Sequence, residues 1–211
     1  MERSTPLASQ PVIRPYRTQD RDALFDICMR TAEAGGDARH LYRDQELLPN
    51  IFAAPYVYLE PDLAFVLDDG TRAVGYIVGT SNTARFVAEF RARWLPRVAA
   101  SHPAPAQEPA TRDEQMAALL HWPERMIVPA LASYPAHLHI DLLPEYQARG
   151  FGRALSFTLF AALAEAGAAR VHVGMLTSNT AARGFYDRLG FRALDVPDAG
   201  ALTYLGRETR R

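Results

Sequence analysis

Leu138-His139-Ile140-Asp141-Leu142-Leu143-Pro144-Glu145-Tyr146-Gln147-Ala148-Arg149-Gly150-Phe151-Gly152-Arg153-Ala154-Leu155 divides into three pieces whose order decides the fold. The first, to Leu143, reads as a buried strand; the middle is a polar turn holding Gly150 and Gly152; the last is an apolar helix from about Arg153. A helix that starts in such a turn leaves backbone N–H groups unpaired and turns its positive dipole end outward, so a docked anion satisfies them. Glycine permits positive φ and lets phosphate oxygens approach without meeting a Cβ. The stretch therefore predicts a site for a phosphorylated ligand. A dinucleotide fingerprint would need a third glycine where Leu155 stands, and a nucleotide P-loop needs Gly-Lys-Ser/Thr, which the chain lacks.

A second segment, Asn179-Thr180-Ala181-Ala182-Arg183-Gly184-Phe185-Tyr186-Asp187-Arg188-Leu189-Gly190-Phe191, follows an apolar helix and a short strand at 171–176. The order strand-helix-strand-helix suits a right-handed parallel crossover. With Gln147-x-x-Gly150-x-Gly152, it resembles the GCN5-related N-acetyltransferase family, whose signatures are Arg/Gln-x-x-Gly-x-Gly/Ala and Asn-x-x-Ala-x-x-Phe-Tyr-x-x-x-Gly-Phe. The resemblance implies an α/β chain, α+β by some schemes, with a mixed sheet of about seven strands flanked by helices. The expected organisation is a flexible tail at 1–10 and a single acetyltransferase domain at 11–211. Within that domain lie a helical insertion at 82–135, between the third and fourth strands, the pyrophosphate motif at 138–166 and the second motif at 177–191.

Composition sets bounds on partners. The 211 residues are 48% hydrophobic and 22% charged, which suits one domain with a full core or a domain with one large insertion. A net charge of -1 gives no reason to expect nucleic acid or an anionic membrane as partner. The single Cys28 cannot form an internal disulfide and suggests a reducing compartment. Residues 1–6 lead into no apolar signal core, and no run approaches the ~20 apolar residues of a membrane span, so the expectation is a soluble cytoplasmic protein. Oligomeric state leaves no mark in the sequence.

Along the chain, a half-exposed strand is expected at 12–17, then a helix capped by Thr18 or Asp20 with Leu24, Ile27, Cys28 and Thr31 on one face, ended by Gly35-Gly36. A second helical stretch spans 44–54, with a break at Pro49. Strands at 63–67 and 73–80 flank Asp68-Asp69-Gly70-Thr71, a hairpin signal. The two aspartates invite a catalytic reading, but at a hairpin tip turn chemistry is the better account. In the insertion, Phe86, Phe90, Trp94 and Leu95 keep helical spacing as packing residues, and Pro103, Pro105 and Pro109 break the chain before a helix through Met116, Leu119 and Leu120. The helix at 152–166 is apolar on nearly all sides and predicts a sandwiched position, and strands at 191–196 and 201–205 complete the sheet.

Parts of 60–206 are similar to the acetyltransferase-like C-terminal domain of animal O-GlcNAcase and its free-standing bacterial relatives. The carrying residues are 64–69, 74–80, a turn at Trp94-Leu95-Pro96, and 130–141. The animal domain is a pseudo-acetyltransferase that departs from the glycine pattern kept here.

These resemblances imply an acetyl-CoA-dependent N-acetyltransferase that attacks the thioester directly with a primary amine of a small molecule or protein, in a cleft bordered by the insertion, the first helix and the central strand. The alternative is a coenzyme-binding or protein-interaction module without turnover. The backbone of Gln147, Ala148, Arg149, Gly150, Phe151, Gly152 and Arg153 would cradle the pyrophosphate, with Arg149 or Arg153 adding charge. Leu142-Leu143 would pair with the pantetheine amides like an added strand, and a backbone N–H there would polarise the thioester. Ala182 and Phe185 would face the coenzyme, and Asn179 would cap a helix, face the ligand, or both. Tyr186 is the family's general acid, or else a core residue.

A lysine-like amine, with pKa ~10.4, is neutral in about one molecule in a few thousand at pH 7, a deficit of about 4 to 5 kcal/mol. Asp141 is the carboxylate inside the central strand, on one face with His137 and His139, and is either the base, directly or through water, or a structural acid. His-x-His-x-Asp on a strand offers no open coordination geometry, so no metal is expected.

Overall fold

The computed structural model describes residues 10–210, so residues 1–9 of the expected tail lie outside the described residues. The strands are β1 (Val12–Pro15), β2 (Ala64–Asp68), β3 (Ala73–Thr80), β4 (Ala136–Leu142), β5 (Arg170–Leu176), β6 (Arg192–Ala193) and β7 (Leu202–Glu208). They form one sheet in the order β1-β2-β3-β4-β5-β7-β6. Every neighbouring pair is antiparallel except β4 with β5, which run parallel.

Pairing places side chains. Thr80 lies opposite His137, Val78 opposite His139 and Tyr76 opposite Asp141, so these six share one face. His172 of β5 extends that face, its ring 5.6 Å from that of His137, and so does Tyr204 of β7, whose ring lies over Gly174. This face is covered on β3 and β4 by α1 (Arg21–Thr31), α2 (Leu47–Phe52) and α3 (Ala54–Leu59). The opposite face of β2, β3 and β4 carries α7 (Phe151–Glu165), with Leu159 against Gly79. Leu155, Leu159, Phe160 and Leu163 of that helix are buried, each worth roughly 2 kcal/mol relative to exposure.

Several expectations shift. Helix α7 is laid on the sheet rather than sandwiched: Arg153, Ala154 and Ala161 are exposed, because alanine counts as apolar in a pattern yet needs no cover. The break in the second helical stretch falls at Ala53, not at Pro49. Pro49 sits in the first turn of α2, where a missing N–H leaves nothing unsatisfied. Strand β6 is only two residues long, and β7 runs to Glu208, since Pro197 and the positive φ of Asp198 and Gly200 form the turn between them. Asp68 and Asp69 do serve the hairpin tip, accepting bonds from the N–H groups of Gly70, Thr71 and Arg72.

The insertion lies between β3 and β4. It begins with α4 (Thr83–Glu89), passes through a π turn at Phe90–Trp94 into α5 (Leu95–Val98), and continues through α6 (Arg112–His121) to 3-10 turns at Pro123–Met126 and Pro129–Leu131. The expected turn at Trp94-Leu95-Pro96 is thus part of a helix: the wider π turn, with the Leu95 N–H on the Phe90 carbonyl, makes room for the ring of Pro96. Phe86, Phe90 and Trp94 are buried, and the Trp94 indole donates to the Asn50 carbonyl at 2.8 Å. His102 links Asp44 at 2.7 Å to Asn50 at 2.8 Å, tying the insertion to the segment before β2.

At the opposite edge Arg14 bridges Asp20 and Asp68, each at 2.7 Å, with the Arg14 side chain only 14% exposed. Burial alone would push the Asp20 carboxyl up, but the bonds from Arg14 and from the Arg17 N–H outweigh it and hold it below the ordinary range. A carboxyl whose folded pKa is depressed stabilises the fold above its unfolded value, near 3.9, and that contribution is lost as pH falls through the folded value. Arg14→Met is expected to cost about 3 kcal/mol in urea denaturation at pH 7, and the deficit should shrink below about pH 4 as Asp20 protonates.

Candidate functional site

The glycine turn leads into the start of a helix through left-handed backbone. After β4 the chain makes a short 3-10 turn at Pro144–Tyr146, then enters left-handed backbone at Ala148, φ 56, and at Gly150, φ 87. Helix α7 starts at Phe151, two residues before the expected Arg153, and its first internal bond runs from the Ala154 N–H to the Gly150 carbonyl. The N–H groups of Phe151, Gly152 and Arg153 are left to point outward. Alternating left- and right-handed residues ahead of a helix start form a nest of N–H donors.

The two glycines serve different ends. At Gly150 positive φ is the reason, since a Cβ there would meet nothing within 4 Å. At Gly152 the reason is packing: a Cβ would stand 3.1 Å from the Phe185 ring. That contact sets α8 (Thr180–Arg188) against the head of α7.

Arg149 and Arg153 are exposed and form no ion pair among the described residues; their guanidiniums lie over Phe151 at 5.4 Å and Phe157 at 4.8 Å. Beside them a cavity of about 580 Å3 has Arg153, Arg188, Arg192, Arg207, Arg210 and Glu208 in its lining, whose balance of charge is positive.

Between β4 and β5 the sheet comes apart. The two strands pair only at Ala136 with Val171 and His137 with His172. The Leu143 N–H is committed to the Val74 carbonyl at 3.0 Å, so by strand alternation Leu142 and Ile140 turn their backbone groups toward β5, where no strand meets them among the described residues. The expected pairing edge at Leu142-Leu143 is therefore carried by Leu142, and Leu143 is spent on β3. Gln147 reaches into this gap and donates from Nε2 to the Leu142 carbonyl at 2.8 Å.

Across the gap, Asn179 caps α8 by accepting the Ala182 N–H at 3.0 Å, and Ala182 and Phe185 are half-buried. Tyr186 is 7% exposed, with its ring 5.2 Å from those of Phe185 and Phe191. Burial, and then the charge of Asp141, raise its phenol above the ordinary range, so it stays protonated. Asp141 is half-buried and accepts a 2.5 Å bond from the Tyr76 hydroxyl. Burial raises its pKa, and the bond from Tyr76 works against that rise.

Sequence reasoning passed over Tyr56 of α3, whose hydroxyl meets His137 and His139, and Arg125, half-buried and electrostatically coupled to both histidines and to Tyr204. The register of β3 on β4 would have exposed Tyr76; no local signal marks Tyr56 or Arg125. Among the described residues no three His, Cys, Asp or Glu side chains gather to hold a metal, and no helix is long and apolar enough to cross a membrane.

Residues 123–197 match the family model described as FR47-like protein. The chain is 21% identical over 188 residues to protein O-GlcNAcase of Rattus norvegicus, covering 88% of this chain but 20% of that protein. The crystal structure of SsHAT superposes with a TM-score of 0.93 at 59% identity, covering 96% of this chain and all of that one. The chain belongs to the GCN5-related N-acetyltransferase family. yncA, a putative acetyltransferase from Salmonella typhimurium with its cofactor acetyl-CoA, shares the fold at a TM-score of 0.56 and 14% identity, each chain covered to 96%.

Because Gly152 and Phe185 touch so closely, Gly152→Val is expected to lose about 1 to 3 kcal/mol in urea denaturation. Phe185→Leu in the same chain should return part of that loss, so a double-mutant cycle would show coupling between the two sites.

Proposed function

We propose that this protein moves the acetyl group of acetyl-CoA to a primary amine by direct attack on the thioester. The observation that carries the reading is the parting of β4 from β5 beside a nest of N–H donors. A strand edge with free N–H and C=O groups suits a ligand arm carrying its own amides, and the pantetheine of coenzyme A is such an arm. The acetyl-CoA held by yncA supports the same ligand here.

In this reading the N–H groups from Ala148 to Arg153 hold the pyrophosphate, with Arg149 and Arg153 supplying charge. The open Leu142 N–H polarises the thioester carbonyl. Gln147 keeps the Leu142 carbonyl occupied, while Asn179, Ala182 and Phe185 wall the coenzyme from the α8 side. Tyr186, kept protonated by burial and by Asp141, gives its proton to the departing thiolate. Asp141, whose raised pKa makes it a better proton acceptor than an ordinary carboxylate, takes the proton that frees the amine lone pair, directly or through water. The acceptor reaches the site from the face covered by α1, α3 and the insertion.

Calorimetry with acetyl-CoA and a thiol-trapping assay over a panel of amines and lysine peptides test this. The expected result is binding and thiol release, with kcat about 100-fold lower in Tyr186→Phe while the Kd for acetyl-CoA holds. Binding with no thiol release across the panel would mark a coenzyme-binding module instead.

A further inference from the structure

A run of hydrogen bonds on the acceptor face can be given a direction by counting protons. The Thr83 hydroxyl lies 2.8 Å from the Pro135 carbonyl, which has no proton to give, so Thr83 donates. The same hydroxyl lies 2.8 Å from His137 Nδ1, and with its single proton already spent it must accept there. His137 therefore carries its proton on Nδ1. Burial, with His172 and His139 close by, keeps that ring neutral, so His137 Nε2 is a bare acceptor. It takes the Tyr56 hydroxyl proton at 2.7 Å. The Tyr56 oxygen, 3.1 Å from His139 Nε2, can then only accept, and His139 must hold its proton on Nε2.

The tautomer of His139 is thus set through three residues by a backbone carbonyl. Its Nδ1 is a bare lone pair with no hydrogen-bond partner among the described residues, on a ring that is half-buried and two residues from Asp141. An ammonium sheds two protons on the way to an amide, one before attack and one as the C–N bond forms. A single carboxylate, already accepting from Tyr76, has room for the first.

We infer that His139 Nδ1 takes the second proton from the acceptor nitrogen, oriented by Tyr56 and His137. This rests on the acetyl-transfer reading above. Asp141 removes the first proton, and the nitrogen lone pair forms the bond to the thioester carbon. The C–S pair leaves with sulfur and is protonated by Tyr186, while one of the two protons left on the nitrogen passes to His139 and the other stays as the amide N–H. Asp141 and His139 then discharge to water, one of these protons restores Tyr186, and one proton is released net.

The groups facing His139 are Asp141 and His137 on its own strand, Phe52 and Tyr56 from α2 and α3, Arg125 from the insertion and His172 from β5. Burial first, then the charge of Arg125, then His172, hold the imidazole down at about 4, so Nδ1 is unprotonated at neutral pH. A nitrogen bonded to a tetrahedral carbon bearing oxygen and sulfur is more acidic than a free ammonium, and a weak base suffices for it.

Nitrogen-15 NMR of the ligand-free protein reads the tautomer without any turnover. Protonated Nε2 and bare Nδ1 at His139 are expected, with Tyr56→Phe giving a mixture. Kinetics use the best acceptor of the amine panel. His139→Gln should lower kcat about 100-fold, with the Kd for acetyl-CoA unchanged as the check on folding, and Tyr56→Phe should lower it by a smaller factor. A proton on Nδ1 in the wild type, or a kcat within twofold of wild type in His139→Gln while Tyr186→Phe is impaired, would overturn the assignment. Wild-type protein that binds acetyl-CoA yet releases no thiol with any amine sinks the acetyl-transfer reading, and the proton-taking role of His139 with it.

Discussion

Two parallel strands that pair over two residues and then separate are the constraint from which the rest of this molecule follows. Strand β5 is bonded to β7 along its whole length, from Arg170 to Leu176, and β4 is bonded to β3 from Leu142 to His137. Each is held to its own partner, and the sheet becomes two half-sheets joined at Ala136 and His137. The backbone groups of Ile140 and the Leu142 N–H are left facing a gap in which the Leu142 carbonyl is already held by Gln147, and unsatisfied backbone polar groups in a protein interior are costly. The gap is therefore a place for a ligand or for water, and the glycine turn sets the start of α7 at its mouth.

The chemistry on the acceptor face shows how neighbours set the state of each group. Burial first, and then the charge of Asp141, keep the Tyr186 phenol protonated. His137 and His139 lie two residues apart on one strand but are held by burial in neutral forms with opposite tautomers, Nδ1–H for the first and Nε2–H for the second. Arg125 lies in the segment between β3 and β4, so that segment also adjusts the histidines beneath it.

What could be read from sequence was local. The glycine turn, the Asp68-to-Thr71 hairpin tip and the cap at Asn179 each rest on residues within a few positions of one another, and their chemistry survives in any surroundings. Contacts across long stretches of chain left no trace: Tyr56 and His137 are 81 positions apart, and Arg14 and Asp68 are 54 apart. Pro49 was legible as a helix breaker but not as the residue that a first turn tolerates. Gly152 was legible as a glycine, while the need for it, the Phe185 ring, became visible only with α8 in place.

The contact between Gly152 and Phe185 joins the start of α7 to the residue next to Tyr186. Under the function proposed above, the loop that would hold the far end of the cofactor and the helix that carries the proposed proton donor are thereby packed against each other. A bulkier side chain at position 152 would have to displace the Phe185 ring, and with it the helix that carries Tyr186.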